Sequence, residues 1–193
     1  MRKTLFIFVM VLFISGCDLL STREAEKPDT QRSDFKIATT PQQLFQNLQD
    51  AFRERIPRNY EVCFVDQSFL NKKFRFIPSA GSTQTYNVLV DWTIEDEKQY
   101  FNNLISKATK NAFIILSLTN EISSTQGDSA QYTFDYQITV PTEDESIPQD
   151  FEGSAQFNIN LDANNQWVIT RWQDIKKEGL PSWSELKGIF FIL

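Results

Sequence analysis

Between Gln131 and Val140 the chain alternates strictly, with Tyr132, Phe134, Tyr136, Ile138 and Val140 on one side and Thr133, Asp135, Gln137 and Thr139 on the other. A period of two sends successive side chains to opposite faces, so this stretch predicts a strand with one buried and one solvated face. Phe151, Gly153, Ala155, Phe157, Ile159 and Leu161 repeat the pattern. Asp162 to Asn165 then supply a turn before a further strand from Trp167 to Trp172. Phe113 to Leu118 is an almost continuous apolar run, which predicts a strand covered on both faces. Earlier, Phe74 and Phe76 alternate with Lys73 and Arg75 in a short first strand, Pro78 to Ser82 break it, and Tyr86 to Val90 reads as a weaker extended stretch. The small Gly153 and Ala155 leave room where a sheet bends or a pocket opens.

Elsewhere the period lengthens. Thr40-Pro41-Gln42-Gln43 combines an N-cap, a proline at the first helical position and a glutamine at the third, and Leu44, Leu48, Ala51 and Phe52 follow at helical spacing. Pro57 restarts the chain into a shorter helix to about Val65 that would bury Tyr60, Cys63 and Phe64. Thr93 caps another helix to about Lys107, with Ile94, Phe101, Leu104 and Ile105 as its apolar stripe. Its first turn carries Glu95, Asp96 and Glu97, acids suited to the positive end of the helix dipole. Ser182-Trp183-Ser184-Glu185 opens a short terminal helix running into Ile189 to Leu193. Helices followed by an antiparallel meander describe an α+β domain, with helices packed on one face of a strongly curved, mainly antiparallel sheet.

Ahead of this domain, Arg2 and Lys3 precede an apolar run from Leu5 that ends in Ile14-Ser15-Gly16-Cys17. The run is too short to cross a bilayer, which takes about 20 residues. A basic start, a short apolar core and small residues before a cysteine have the order of a lipoprotein signal peptide, residues 1–16. The Cys17 sulfur then accepts the lipid, and acyl chains such as palmitate hold the protein to a membrane. Residues 17–39 are the lipidated cysteine and a polar, flexible linker, and residues 40–193 are a single domain. The expected location is the bacterial cell envelope, on the periplasmic face or the cell surface.

The helix start at Thr40-Pro41 carries a family resemblance together with the run Trp167-Val168-Ile169-Thr170-Arg171-Trp172-Gln173-Asp174 and the later Ser182-Trp183-Ser184-Glu185-Leu186-Lys187. Over roughly residues 40–175 the chain resembles the nuclear transport factor 2-like superfamily, and most of all bacterial lipoproteins with such a domain. The resemblance implies a cystatin-like cone of the kind also found in ketosteroid isomerases and polyketide cyclases, with the terminal helix as an addition. The catalytic residues of those enzymes do not carry over, because there is no histidine-aspartate pair.

Charge and composition narrow the function. Removing residues 1–16 takes away Arg2 and Lys3 and no acid, so the net charge moves from −6 to −8. With its lysines and arginines scattered, such a chain is not built for nucleic acid. The chain has no histidine, which excludes Ser-His-Asp and Cys-His nucleophile systems and the usual zinc sites. Cys17 and Cys63 are the two cysteines, so a lipidated Cys17 leaves Cys63 without an intramolecular partner, and its apolar neighbours point to burial. Glu143-Asp144-Glu145 and the Asp162 loop read as turns and not as calcium sites, the latter lacking the required glycine and glutamate. No metal and no cofactor is implied.

An aromatic set, Trp92, Tyr132, Phe134, Tyr136, Phe157 and Trp172, could line a concave pocket or simply fill the core. Arg171 could enter that pocket and meet an anion, or point to solvent. The leading expectation is a membrane-anchored module that binds a protein partner or a small apolar ligand. The alternatives are an isomerase or dehydratase using Asp66, Asp91 or Asp135 as base, and a structural subunit of an envelope complex.

Overall fold

The computed structural model describes residues 33–193. The expected signal peptide, Cys17 and the expected linker up to residue 32 lie outside the described residues. Residues 33–39, expected to end the linker, instead lie against the first helix. Lys36 N donates to Asn47 Oδ1 and Asn47 Nδ2 donates back to Lys36 O, while Asp34 N donates to Glu54 Oε1 at 2.6 Å. Ala38 is buried, and its carbonyl accepts from Trp167 N at 2.8 Å. The domain therefore begins ahead of Thr40.

Helix α1 (Pro41–Glu54) starts as its sequence predicts, with the Thr40 hydroxyl accepting from Gln43 N and Pro41 in the first turn. It buries Leu44, Leu48, Ala51 and Phe52, together with Phe45. Helix α2 (Pro57–Glu61) follows, and the turn after it buries Cys63 and Phe64. Strand β1 (Arg75–Ile77) points Phe76 inward. The expected extended stretch at Tyr86–Val90 instead follows helix α3 (Ser82–Thr85) and holds a 3-10 turn at Asn87–Leu89. The amides of Tyr86, Leu89 and Val90 bond to carbonyls three or four residues back, so the segment closes on itself and needs no strand partner. Helix α4 (Ile94–Lys107) carries a full capping box between Thr93 and Asp96.

Four long strands complete the sheet: β2 (Ile115–Gln126), β3 (Ser129–Thr139), β4 (Asp150–Leu161) and β5 (Trp167–Lys176). The order across it is β1-β5-β4-β3-β2, antiparallel except for the parallel pairing of β1 with β5. The apolar run at Phe113–Leu118 is therefore not a strand covered on both faces. It leads into the edge strand, where Leu116 is buried while Phe113 and Ile115 are exposed. Register slips in β2 between Thr119 and Ile122, and between β4 and β5 after Asn158, bend the sheet. Helix α5 (Trp183–Ile192) lies over the concave side and buries Trp183, Leu186, Lys187 and Phe190. Tyr86 packs against Gly188, where a β-carbon would overlap the tyrosine ring.

Candidate functional site

The concave face and its covering helices enclose a buried polar cluster. Glu97 projects from the first turn of α4 and Lys187 from the middle of α5, both fully buried. The Lys187 ammonium and the Tyr60 hydroxyl donate to Glu97 Oε1, and Trp92 Nε1 donates to Glu97 Oε2 at 2.7 Å. Four rings surround the ammonium, with centroids 4.1 Å away for Trp172, 4.6 Å for Phe76, 4.7 Å for Tyr100 and 5.4 Å for Trp92. A desolvated cation over ring faces gains about 2 kcal/mol or more. Burial nevertheless lowers the Lys187 pKa from 10.5 to about 8, with Glu97 pulling the other way.

A second group secures the start of α5. Asp174 stands two positions after Trp172 on β5 and so faces inward with it. Its carboxylate accepts from the Tyr136 hydroxyl at 2.7 Å, from Ser184 N at 2.8 Å and from the Ser184 hydroxyl at 2.5 Å. The Tyr136 oxygen in turn accepts from Trp183 N at 2.7 Å. Both amides belong to the first helical turn, where backbone donors have no partner within the helix. Burial and Asp174 raise the Tyr136 pKa, and burial and Glu97 raise those of Tyr60 and Tyr100, so all three remain protonated at neutral pH, with Tyr100 accepting from Trp183 Nε1.

The expected pocket residues divide into the aromatic set and Arg171. Trp92, Tyr132, Phe134, Tyr136, Phe157 and Trp172 all face the concave side and are buried. They are packed against helices: Phe45 of α1 meets Tyr132, Phe134 and Phe157 at 5.0, 4.7 and 5.4 Å between centroids, and Trp183 meets Trp172 at 4.2 Å. Arg171 is on the opposite, outer face, where its guanidinium donates to Asn158 Oδ1 at 3.2 Å and Gln173 Oε1 at 3.1 Å.

The three aspartates considered as bases also lie away from the cone interior. Asp66 and Asp91 are exposed, and the bonds from Ser68 hold the Asp66 carboxyl below its ordinary range. Asp135 is half-buried on the outer face, and Lys177, Ser154 and Asn120 hold its pKa well below the usual carboxylate value. Asp66 and Asp135 lack the raised pKa of a poised general base, and Asp91 lacks its burial. Glu97, Asp174 and Lys187 are instead the charged groups of the cone interior among the described residues, and none of them is among the residues expected to be buried. Beside β1 a cleft of about 760 Å³ opens, lined in part by Phe76 and Trp92.

The sequence matches no known family description and no curated protein. Solved structures do match in shape. A candidate aromatic ring hydroxylase from Novosphingobium aromaticivorans is 14% identical with a TM-score of 0.54, over 76% of this chain and 92% of its own. A conserved protein from Planctomyces limnophilus is 12% identical with a TM-score of 0.56, over 69% and 91%. A candidate dehydratase of the nuclear transport factor 2-like family from Streptomyces avermitilis is 11% identical with a TM-score of 0.52, over 70% and 93%. Such identities speak for fold alone, and the fold of this chain is the nuclear transport factor 2-like cone, an α+β arrangement of helices on a curved, mainly antiparallel sheet.

Proposed function

We propose that this chain is a lipid-anchored envelope protein whose domain is a binding module and does not catalyse a reaction inside its cone. The observation that carries this reading is the filling of the concave face by α5. Trp183, Leu186, Lys187 and Phe190 occupy the space where a substrate would lie, each fully buried. A general base must reach the proton that it removes, and Glu97 and Asp174 are already committed to Lys187 and to the start of α5. The ligand or protein partner is therefore met on the outer surfaces. The anchor rests on the order of residues around Ile14-Ser15-Gly16-Cys17.

Native mass spectrometry of the protein, extracted gently from the membranes of its own host, tests both parts. The expected species begins at Cys17, carries acyl mass on it and retains a bound ligand or partner. An unprocessed chain of residues 1–193 would remove the anchor. Steady turnover of a substrate, abolished by Glu97→Gln in a folded variant, would replace the binding module by an enzyme.

A further inference from the structure

The outer face of the sheet carries one row of side chains that runs in register through all five strands. Arg75 of β1 pairs with Arg171 of β5, Arg171 with Asn158 of β4, Asn158 with Gln131 of β3, and Gln131 with Ser124 of β2. Their inward neighbours Phe76, Trp172, Phe157 and Tyr132 are buried, so the row itself points outward. At about 4.8 Å per strand it spans roughly 19 Å. A trough of about 420 Å³ is lined by Arg171, Asn158, Gln131 and Ser124 of the row together with Lys72, while Arg75 lines the neighbouring cleft beside β1.

The charged end of this row is unbalanced. Two arginines sit side by side on adjacent strands, a placement that like charges disfavour. Among the described residues neither has an ion pair, and Arg171, half-buried, is met only by the neutral oxygens of Asn158 and Gln173. In a chain of net charge −6 this is a local surplus of positive charge that nothing within the fold explains. Guanidinium groups match carboxylate and sulfate oxygens in geometry. The rest of the row consists of amides and a hydroxyl, each able both to donate and to accept, which is also the character of a sugar hydroxyl.

We propose that this row binds an acidic saccharide, its carboxylate or sulfate seated between Arg75 and Arg171 and its hydroxyl-bearing units laid along Asn158, Gln131 and Ser124. A nucleic acid would bring many more charges than the two arginines and Lys72 can meet, against the acidity of the remaining surface. An extended apolar peptide would find only polar groups along the row. The assignment rests on the binding-module reading but fails separately from it. A ligand retained elsewhere on the protein keeps the module and removes this site, whereas turnover of a bound saccharide removes the module and keeps the site.

The test is calorimetric titration of the full lipidated chain in detergent micelles with a tetramer of galacturonate, against the monomeric uronate, a neutral tetramer of the same length and inorganic sulfate. Saturable binding of the acidic tetramer is expected, weakened at least tenfold by Arg171→Gln and by Arg75→Gln, and several-fold by Gln131→Ala at the far end of the row. The neutral tetramer is expected not to bind. Equal affinity for sulfate or the monomer, unchanged binding in the three variants, or no binding of the tetramer would each overturn the proposal. Circular dichroism of each variant separates lost binding from lost folding, and Arg171→Lys supplies a second reading of that position.

Discussion

Burying the Lys187 ammonium beside Glu97 removes two charges from water, a cost that their attraction offsets only while both are present. Lys187→Met or Glu97→Gln alone is expected to lower stability by about 3–5 kcal/mol in urea denaturation, since each leaves its partner charged and unpaired. The double variant Glu97→Leu/Lys187→Met is expected to lose much less than the sum, and simple additivity would show that the two side chains do not act as a pair. The ammonium also sets a pH dependence. Its folded pKa of about 8 lies below the 10.5 of an unperturbed lysine, so the unfolded chain binds more protons between those values and stability rises with pH. From pH 7.5 to 9.5 this group alone contributes a gain of roughly 2 kcal/mol, which Lys187→Met should abolish. Above about pH 10 the gain reverses, because the unfolded tyrosines ionise while Tyr60, Tyr100 and Tyr136 stay protonated in the fold. Glu97 was open to recognition in the sequence: it stands three residues after Ile94 and four before Phe101, on the apolar stripe itself. Beside Glu95 and Asp96 it instead resembles a third acid suited to the helix dipole. Lys187 likewise stands four residues after Trp183 and three before Phe190. Periodicity can flag such a polar residue as buried, but it cannot name the partner on a distant helix.

At the level of elements, alternation was a reliable guide wherever one face of a strand meets helices and the other meets water. β3 and β4 follow their sequence pattern almost residue by residue. Stretches without alternation were a poorer guide: at Phe113–Leu118 the apolar run marks the approach to a sheet edge, and at Tyr86–Val90 Leu89 is the one fully buried side chain and a 3-10 turn suffices to place it. Gly153 is small for a reason that neither strand shows alone. It lies opposite Tyr136 in the register, and a β-carbon there would overlap the Tyr136 hydroxyl and approach the Ile175 carbonyl at 2.8 Å. Gly153→Ala is therefore expected to cost about 1–3 kcal/mol through overpacking, read as a lowered thermal midpoint. An unchanged midpoint would mean that Tyr136 can move without loosening its hold on α5.

For the whole molecule, the α+β class followed from helices first and a meander after, and the solved structures share that arrangement over most of their length. The position of α5 did not follow, because capping signals fix where a helix starts in the chain and not which surface it covers. Arg171 was ambiguous for a related reason. The register slip after Asn158 shifts the alternation within β5, so the face of a residue there depends on pairing with β4. The fastening of Ser33 to Ala38 onto α1 has a mechanical consequence. If Cys17 carries the proposed lipid, the covalent path from it to Ser33 cannot exceed about 55 Å. Drag on the domain would load α1 sideways through Asn47 and Glu54 before it reached any strand edge. Under the proposed anchor, whatever the domain captures must come within that length plus the domain's own width of the bilayer.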